Sequence, residues 1–318
     1  MPIRKLIFRK HSMQFHSIEN VFHALLPFLK VESIELPYES KGLINRIKNI
    51  RFLMQHKASL IHISGHDHYL LWWPFKNAIL TIHDIEALKR KKGIKKWLFK
   101  KLWFDLPIRN ATMVTTISEF SKKEILSVGN YQTPIQVIHN PLTLDLSYTP
   151  KVFNTTKPRI LHIGTKANKN LSRLIQALKG IECELIIIGK ATESIKADLK
   201  DSEIDYTVKS NLSNAAMIAE YQACDLLAFV STYEGFGLPI IEAQAVGRGV
   251  ITSNVASMPE VAGEGALLVD PYSVEEIRDG ILRLMEDEKL RAALIQKGLE
   301  NVKRFDAERI AGEYLEMY

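Results

Sequence analysis

Cysteine is scarce in this chain of 318 residues: only Cys183 and Cys224 occur, each inside an apolar segment. Two such thiols fit reduced core residues better than a disulfide framework or a zinc site, which points to a cytoplasmic home. Long hydrophobic runs are missing as well. The opening stretch MPIRKLIFRKHSMQFHS breaks its apolar run with charges after four residues or fewer. No stretch approaches the roughly 18 apolar residues of a membrane span, so neither a cleavable signal nor an integral segment is expected. There is no Asp-x-Asp pair and no His/Cys cluster at ligand spacing, so no metal site and no cofactor is expected. Internal repeats of about 20 to 50 residues and low-complexity tracts are also absent.

What remains is the composition of a folded protein, 46% hydrophobic and 25% charged. The length suits two domains of roughly 150 residues, each able to bury its own core. Charge is shared unevenly. Residues 1–150 hold 22 Lys and Arg against 11 Asp and Glu, whereas residues 151–318 hold 20 against 25. A basic front half and a mildly acidic back half meet different partners. Short β-branched runs alternate with helical patterns throughout, the signature of parallel sheets with crossover helices. The strand candidates are KLIFRK, SLIHIS, AILTIHD, MVTTIS and IQVIHN, then RILHIG, CELIIIG, DLLAFVS and GVITSN. Between the two sets, Pro141 to Pro158 carries three prolines and no helical period, and reads as a linker. The expected division is 1–145, 146–304 and a final helix at 305–318. Two doubly wound domains of this kind face each other across a cleft at the carboxyl ends of their strands.

The stretch from Ser231 to Pro271, STYEGFGLPIIEAQAVGRGVITSNVASMPEVAGEGALLVDP, is the most informative. Glu234 and Glu242 flank a loop, Gly235-Phe236-Gly237, that opens into an expected helix near Leu238. A helix start offers unpaired N–H groups and a positive dipole end, so it holds a phosphate against bare backbone. Helical side chains lean toward the N-terminus, so Glu242, one turn in, points back to the same mouth. A carboxylate on each side of an anion site suits a diphosphate with hydroxyls at both ends, which is a nucleotide sugar. A second anion cradle, Gly164-Thr165-Lys166 leading to Lys169, follows RILHI. His83 and Asp84 follow AILTI. All three motifs stand at strand carboxyl ends.

The spacing E-x7-E within EGFGLPIIEA, followed by SMPEVAG and ALLVDP, resembles the retaining glycosyltransferases of GT-B fold in family 4, the glycosyl transferases group 1 of bacterial polysaccharide biosynthesis. The resemblance runs from about Ser59 to Tyr318 and is best in the second half. It implies that Glu234 contacts hydroxyls of the transferred sugar and Glu242 the ribose, and that Lys169, with Lys166, meets the donor diphosphate. It places His83 in the active site with Asp84 supporting its loop, and sends the last helix back onto the N-terminal domain; packing on its own domain is the alternative. It also implies a front-face route in which the donor phosphate helps take the acceptor proton, without a metal ion.

On the acceptor side the resemblance brings Gly65, His68 and Tyr69, and Phe15, His16 or Ser17 in the loop after the first strand. The chain departs from the family there, because the usual Gly-Gly pair is missing. Trp72 and Trp73 stack on sugars or divide between core and surface. The run from Leu88 to Phe104, LKRKKGIKKWLFKKLWF, is the strongest charge signal. On a wheel at about 100° per residue, Lys96 and Lys100 share one exposed sector and Ile94, Trp97, Leu98 and Leu102 another. Such a helix either lies on an anionic bilayer or shows water a basic face. Nucleic acid is not expected, since no recognition motif accompanies the charge. The sum is a cytoplasmic, metal-independent transferase, peripheral on the inner face of the plasma membrane, moving sugar from a UDP- or GDP-sugar to a glycan or lipid-linked glycan. The rivals are a catalytically silent scaffold that binds sugar nucleotides, a sugar-nucleotide epimerase, or a phosphorylase, which would need a pyridoxal phosphate lysine.

Overall fold

The computed structural model describes residues 3–10 and 17–318. The chain divides into two units, Met1–Thr143 with Ala307–Tyr318, and Leu144–Asp306. In the first, the described residues build a parallel sheet from β1 (Arg4–Phe8), β2 (Glu32–Glu35), β3 (Leu60–Ile63), β4 (Ala78–Ile82), β5 (Met113–Thr116) and β6 (Ile135–Val137). Their order is β2-β1-β3-β4-β5-β6. In the second unit the strands are β7 (Arg159–Ile163), β8 (Glu184–Ile188), β9 (Asp205–Lys209), β10 (Leu226–Phe229), β11 (Gly249–Ser253) and β12 (Leu267–Val269), in the order β12-β11-β10-β7-β8-β9. From β7 the chain winds outward to β9, then returns to β10 and winds the other way. The loops after β7 and β10 therefore flank the point where the winding reverses, and ligands of doubly wound sheets bind in the crevice there.

Every strand is parallel to its neighbours, so crossover helices cover both faces and the central strands are apolar on both sides. Ile160, Leu185, Ile187, Leu226, Ala228 and Ile251 form one core with Leu174 and Leu178 of the helix Leu171–Leu178. Ile7, Ile61, Ile63, Leu80, Ile82 and Val114 form the other. The edges are different. β2 buries only Ile34, and β9 has no buried residue, so neither carries the continuous apolar run that marks a central strand.

The helix Ala307–Leu315 belongs to the N-terminal unit. Tyr314 sets its ring 5.7 Å from Phe22 and 5.3 Å from His62. His62 in turn has Nδ1 2.5 Å from the Tyr318 hydroxyl and Nε2 2.7 Å from Thr81 Oγ1. A second buried histidine, His68, sits in the 3-10 segment His68–Trp72, and His162 lies on β7. Burial pushes His62 and His68 down to about 3 and His162 to about 4, so all three rings are neutral in the folded chain.

Two stability predictions follow from this packing. Tyr314→Ala removes a buried ring and should destabilise the N-terminal unit by about 3–5 kcal/mol, read as a lower urea midpoint; an unchanged midpoint would show that the ring carries no packing energy. The histidines set a pH dependence. Above their ordinary value of 6.5 they are neutral folded or unfolded, and their contribution is complete. As the pH falls below that value the unfolded chain takes up protons that the folded rings refuse until about pH 3–4. Stability should drop through this window by ~1.4 kcal/mol per pH unit for each ring, and urea midpoints that stay level from pH 7.5 to about 5 would contradict neutral buried imidazoles.

Candidate functional site

The C-terminal unit gathers its polar side chains at the carboxyl ends of β7 and β10. Gly237, at φ +117°, turns the chain into the helix Leu238–Ala245 in a conformation that L side chains avoid. No side chain caps this helix, and Pro239 occupies its first turn, where a missing N–H is no loss. The mouth is thus lined by backbone, with the positive end of the helix dipole behind it. Ser257 fixes the approach to it: its hydroxyl lies 2.9 Å from the carbonyl of Glu234 and 2.6 Å from that of Phe236.

Lys169 reaches this loop from the other side of the winding reversal. Its Nζ donates to Glu234 Oε1 at 2.7 Å and lies 4.7 Å from the centroid of the Phe229 ring. The approach depends on Gly164, whose backbone stands at φ +96° and whose absent Cβ would fall 2.8 Å from Lys169 Cγ. Asn168 adds donors from Nδ2 to the Tyr233 carbonyl at 2.9 Å and to Glu234 Oε1 at 3.3 Å. Asn170, left-handed at φ 63° and buried, donates to the carbonyls of Val230 and Pro271. The loop after β7 is thereby laced to the loops after β10 and β12. Lysine, glutamate and uncapped amides converge as a cation, a hydroxyl acceptor and an anion cradle.

Glu242 is held separately. It is buried within the helix, and its Oε2 accepts the hydroxyl of Tyr221 from the helix Asn214–Ala223. Burial, with the Glu242 charge beside it, raises Tyr221 well above the usual phenol range, so the phenol stays a donor. Of the other expected donor residues, Thr165 donates to the Lys190 carbonyl at 2.7 Å, Lys166 is exposed, and Phe236 is buried against Phe305. Asn168, Asn170 and Tyr221 were not singled out by sequence. The two asparagines flank Lys169 in the sequence and were within reach of that motif. Tyr221 lies 21 residues from Glu242, and no local pattern links them.

In the N-terminal unit His83 follows β4, buried, with Nε2 donating to the Ser64 carbonyl at 2.8 Å. That bond leaves Nδ1 as the acceptor, and burial, aided by the charge of His66, pushes the ring down to about 4. Asp84 caps the following turn by accepting from the Glu86 amide at 2.8 Å. Two residues expected at the acceptor are buried in this structure. Tyr69 is 1% exposed, and its hydroxyl is taken up by Ser40 and Asn49. His68 is 2% exposed and donates through Nδ1 to the Trp103 carbonyl at 2.7 Å. Both are core residues because the 3-10 segment that carries them packs inward. Phe15 and His16 lie outside the described residues, and Ser17 is the first residue of the helix Ser17–Leu25. Trp72 is tied by its indole to the Leu102 carbonyl, whereas Trp73 is exposed.

The helix wheel needs correction at Lys100. The helix Gly93–Lys100 buries none of its residues, and Ile94, Trp97 and Leu98 are 83%, 60% and 49% exposed. Lys96 is exposed as expected. Lys100 is not, because its ammonium turns to Asp105 at 2.7 Å.

Residues 149–301 match the family model described as glycosyl transferases group 1, and residues 21–146 the model described as glycosyltransferase family 4. The chain is 27% identical over 323 residues to the O-antigen chain mannosyltransferase B of Escherichia coli, covering 92% of this chain and 82% of that protein. It superposes on Anabaena HepE in complex with UDP-glucose with a TM-score of 0.79, at 17% identity and with 98% of each chain covered. Sucrose-phosphate synthase from Thermosynechococcus elongatus gives 0.78 at 18% identity, with 100% of this chain and 98% of that one covered. With both units matched in sequence and the two wound sheets matched in fold, the chain belongs to the group 1, family 4 glycosyltransferases of GT-B architecture.

Proposed function

We propose that this glycosyltransferase moves a sugar from a nucleotide-sugar donor to a glycan or lipid-linked glycan of a surface polysaccharide, in the cytoplasm, with retention at the anomeric carbon and without a metal ion. The observation that carries the reading is the meeting of Lys169 and Glu234 beside the uncapped mouth of the helix Leu238–Ala245. The similarity to an O-antigen chain mannosyltransferase supports the polysaccharide assignment. In this reading the diphosphate lies against the Gly237 and Leu238 amides and takes the Lys169 ammonium, so charge on the departing oxygen meets fixed donors. Glu234 receives hydroxyls of the transferred sugar, and Glu242, oriented by Tyr221, those of the ribose. His83, neutral at pH 7, offers Nδ1 to the reacting sugar. The bond from the anomeric carbon to the diphosphate breaks as the acceptor oxygen attacks the same face, and the acceptor proton passes to a donor phosphate oxygen.

The exposed apolar side chains of the helix Gly93–Lys100, with Lys95 and Lys96 beside them, support a resting place on an anionic bilayer at the inner face of the plasma membrane. Among the described residues no helix is long and apolar enough to cross a membrane.

For the chemistry, Glu242→Ala should weaken donor nucleotide binding about ten-fold or more, the usual loss of a charged hydrogen bond, and Glu234→Ala should depress kcat more than affinity. Full activity in both purified variants would remove these roles. A thermal-shift panel of UDP, GDP, ADP and dTDP sugars should show one preferred base, because a ligand selective for the folded state raises its stability; no shift with any of them would refute donor binding. For the membrane, Trp97→Glu with Leu98→Glu should cut co-sedimentation with phosphatidylglycerol vesicles several-fold, and equal pelleting would exclude this face.

A further inference from the structure

On the N-terminal unit a cavity of about 770 Å³ opens between Lys100, Lys101, Leu102, Asp105, Leu106 and the loop Gly129–Thr133, with Arg109 at its rim. Its size is that of a small-molecule site. Its position is informative. Arg109 precedes β5 and Thr133 precedes β6, so the cavity lies at the amino ends of these strands, whereas His83 stands at the carboxyl end of the parallel β4. It is a separate place from the transfer chemistry.

The wall is built around Asp105. One carboxylate oxygen accepts from Lys100 at 2.7 Å and from the Tyr131 hydroxyl at 2.8 Å, and the other from Lys101 at 3.0 Å. Partial burial opposes ionisation, but these three donors outweigh it and hold the Asp105 carboxyl below its usual range. One carboxylate neutralises one ammonium. The second lysine and Arg109 leave two positive charges at the cavity. Among the described residues the Arg109 guanidinium and the Asn130 and Gln132 amides donate to no protein acceptor, so the site holds donors in surplus over acceptors.

The backbone here is irregular as well. Residues Lys101–Asp105 form a π turn, closed by the Leu106 amide on the Lys101 carbonyl, and such wide turns are frequent at functional sites. The turn lets Lys100 and Lys101 meet the same carboxylate. Leu102, Leu106 and the Tyr131 ring give the cavity an apolar part beside its cationic rim.

We propose that this cavity binds a phosphate group, monoester or diester, with Lys101 and Arg109 as its charged contacts. A guanidinium fork and an ammonium match phosphate oxygens in charge and geometry, and the apolar part accommodates carbon attached to the ester. The chemistry is shared by a lipid headgroup and by free phosphate. The proposal does not depend on the donor assignment or on bilayer binding by the preceding helix.

The test is calorimetric titration of the full chain at low salt with three probes: dihexanoylphosphatidylglycerol below its micelle concentration, inorganic phosphate, and dihexanoylphosphatidylcholine. Saturable binding of the first, weakened about ten-fold or more in Lys101→Gln/Arg109→Gln and unchanged in Lys57→Gln at an exposed site outside the cavity, supports a headgroup as the source. The same sensitivity with inorganic phosphate alone supports a free phosphate. Binding of the zwitterionic lipid as tight as the anionic one, binding that the double variant retains in full, or no saturable heat with either anionic probe would overturn the proposal.

Discussion

The charge pair between Lys169 and Glu234 sets the conditions for the rest of the C-terminal site. The two side chains come from loops on either side of the winding reversal and are only 19% and 15% exposed. At that depth each has lost much of its hydration, and removing one would leave the other poorly compensated. Under the proposed function a nucleotide sugar supplies a replacement for both: its diphosphate is an anion for the ammonium, and its hydroxyls are donors for the carboxylate. Exchange of partners therefore strands neither charge. The asparagine lacing around the pair serves the same end, because it fixes the loop before any ligand arrives, so little order remains to be imposed on binding.

Most of this architecture is written in local pattern. The inner strands of both sheets are buried on two faces, so KLIFRK, AILTIHD, CELIIIG and DLLAFVS each stand out by a short apolar centre, and glycines at Gly164 and Gly237 mark the loops that follow β7 and β10. The edge strands β2, β9 and β12 escape this reading. Their sequences ESIE, DYTVK and LLV are short or polar because one flank lacks a neighbour. Their places become legible only once the inner strands exist to pair with them. The donor motifs are similarly local, whereas the Tyr221–Glu242 bond joins two helices on either side of β10 and leaves no trace in spacing.

The N-terminal unit departs further from expectation, and for one reason. A histidine and a tyrosine beside a glycine look like ligands on a line of sequence, but His68, Tyr69 and Trp72 lie in a short 3-10 segment that turns inward. The wheel drawn over Leu88 to Phe104 assumes one continuous helix of a single period, and the run contains three elements: the end of a short α-helix, the α-helix Gly93–Lys100, and a π turn. A change of period rotates every later side chain. The π turn that follows Lys100 rotates Asp105 into reach of the Lys100 ammonium.

Pro107 accounts for that change of period. It has no amide hydrogen, so the carbonyls of Leu102 and Trp103, which an N–H at position 107 would otherwise serve, look elsewhere. The indole of Trp72 and the imidazole of His68 supply the missing donors at 2.7 Å each. The wide turn is thus bolted from the inside, by groups that face away from solvent. A consequence is modularity. The outward residues of the preceding helix owe nothing to the interior, so natural variation can rewrite that surface, greasier or more charged, while the scaffold beneath keeps its shape.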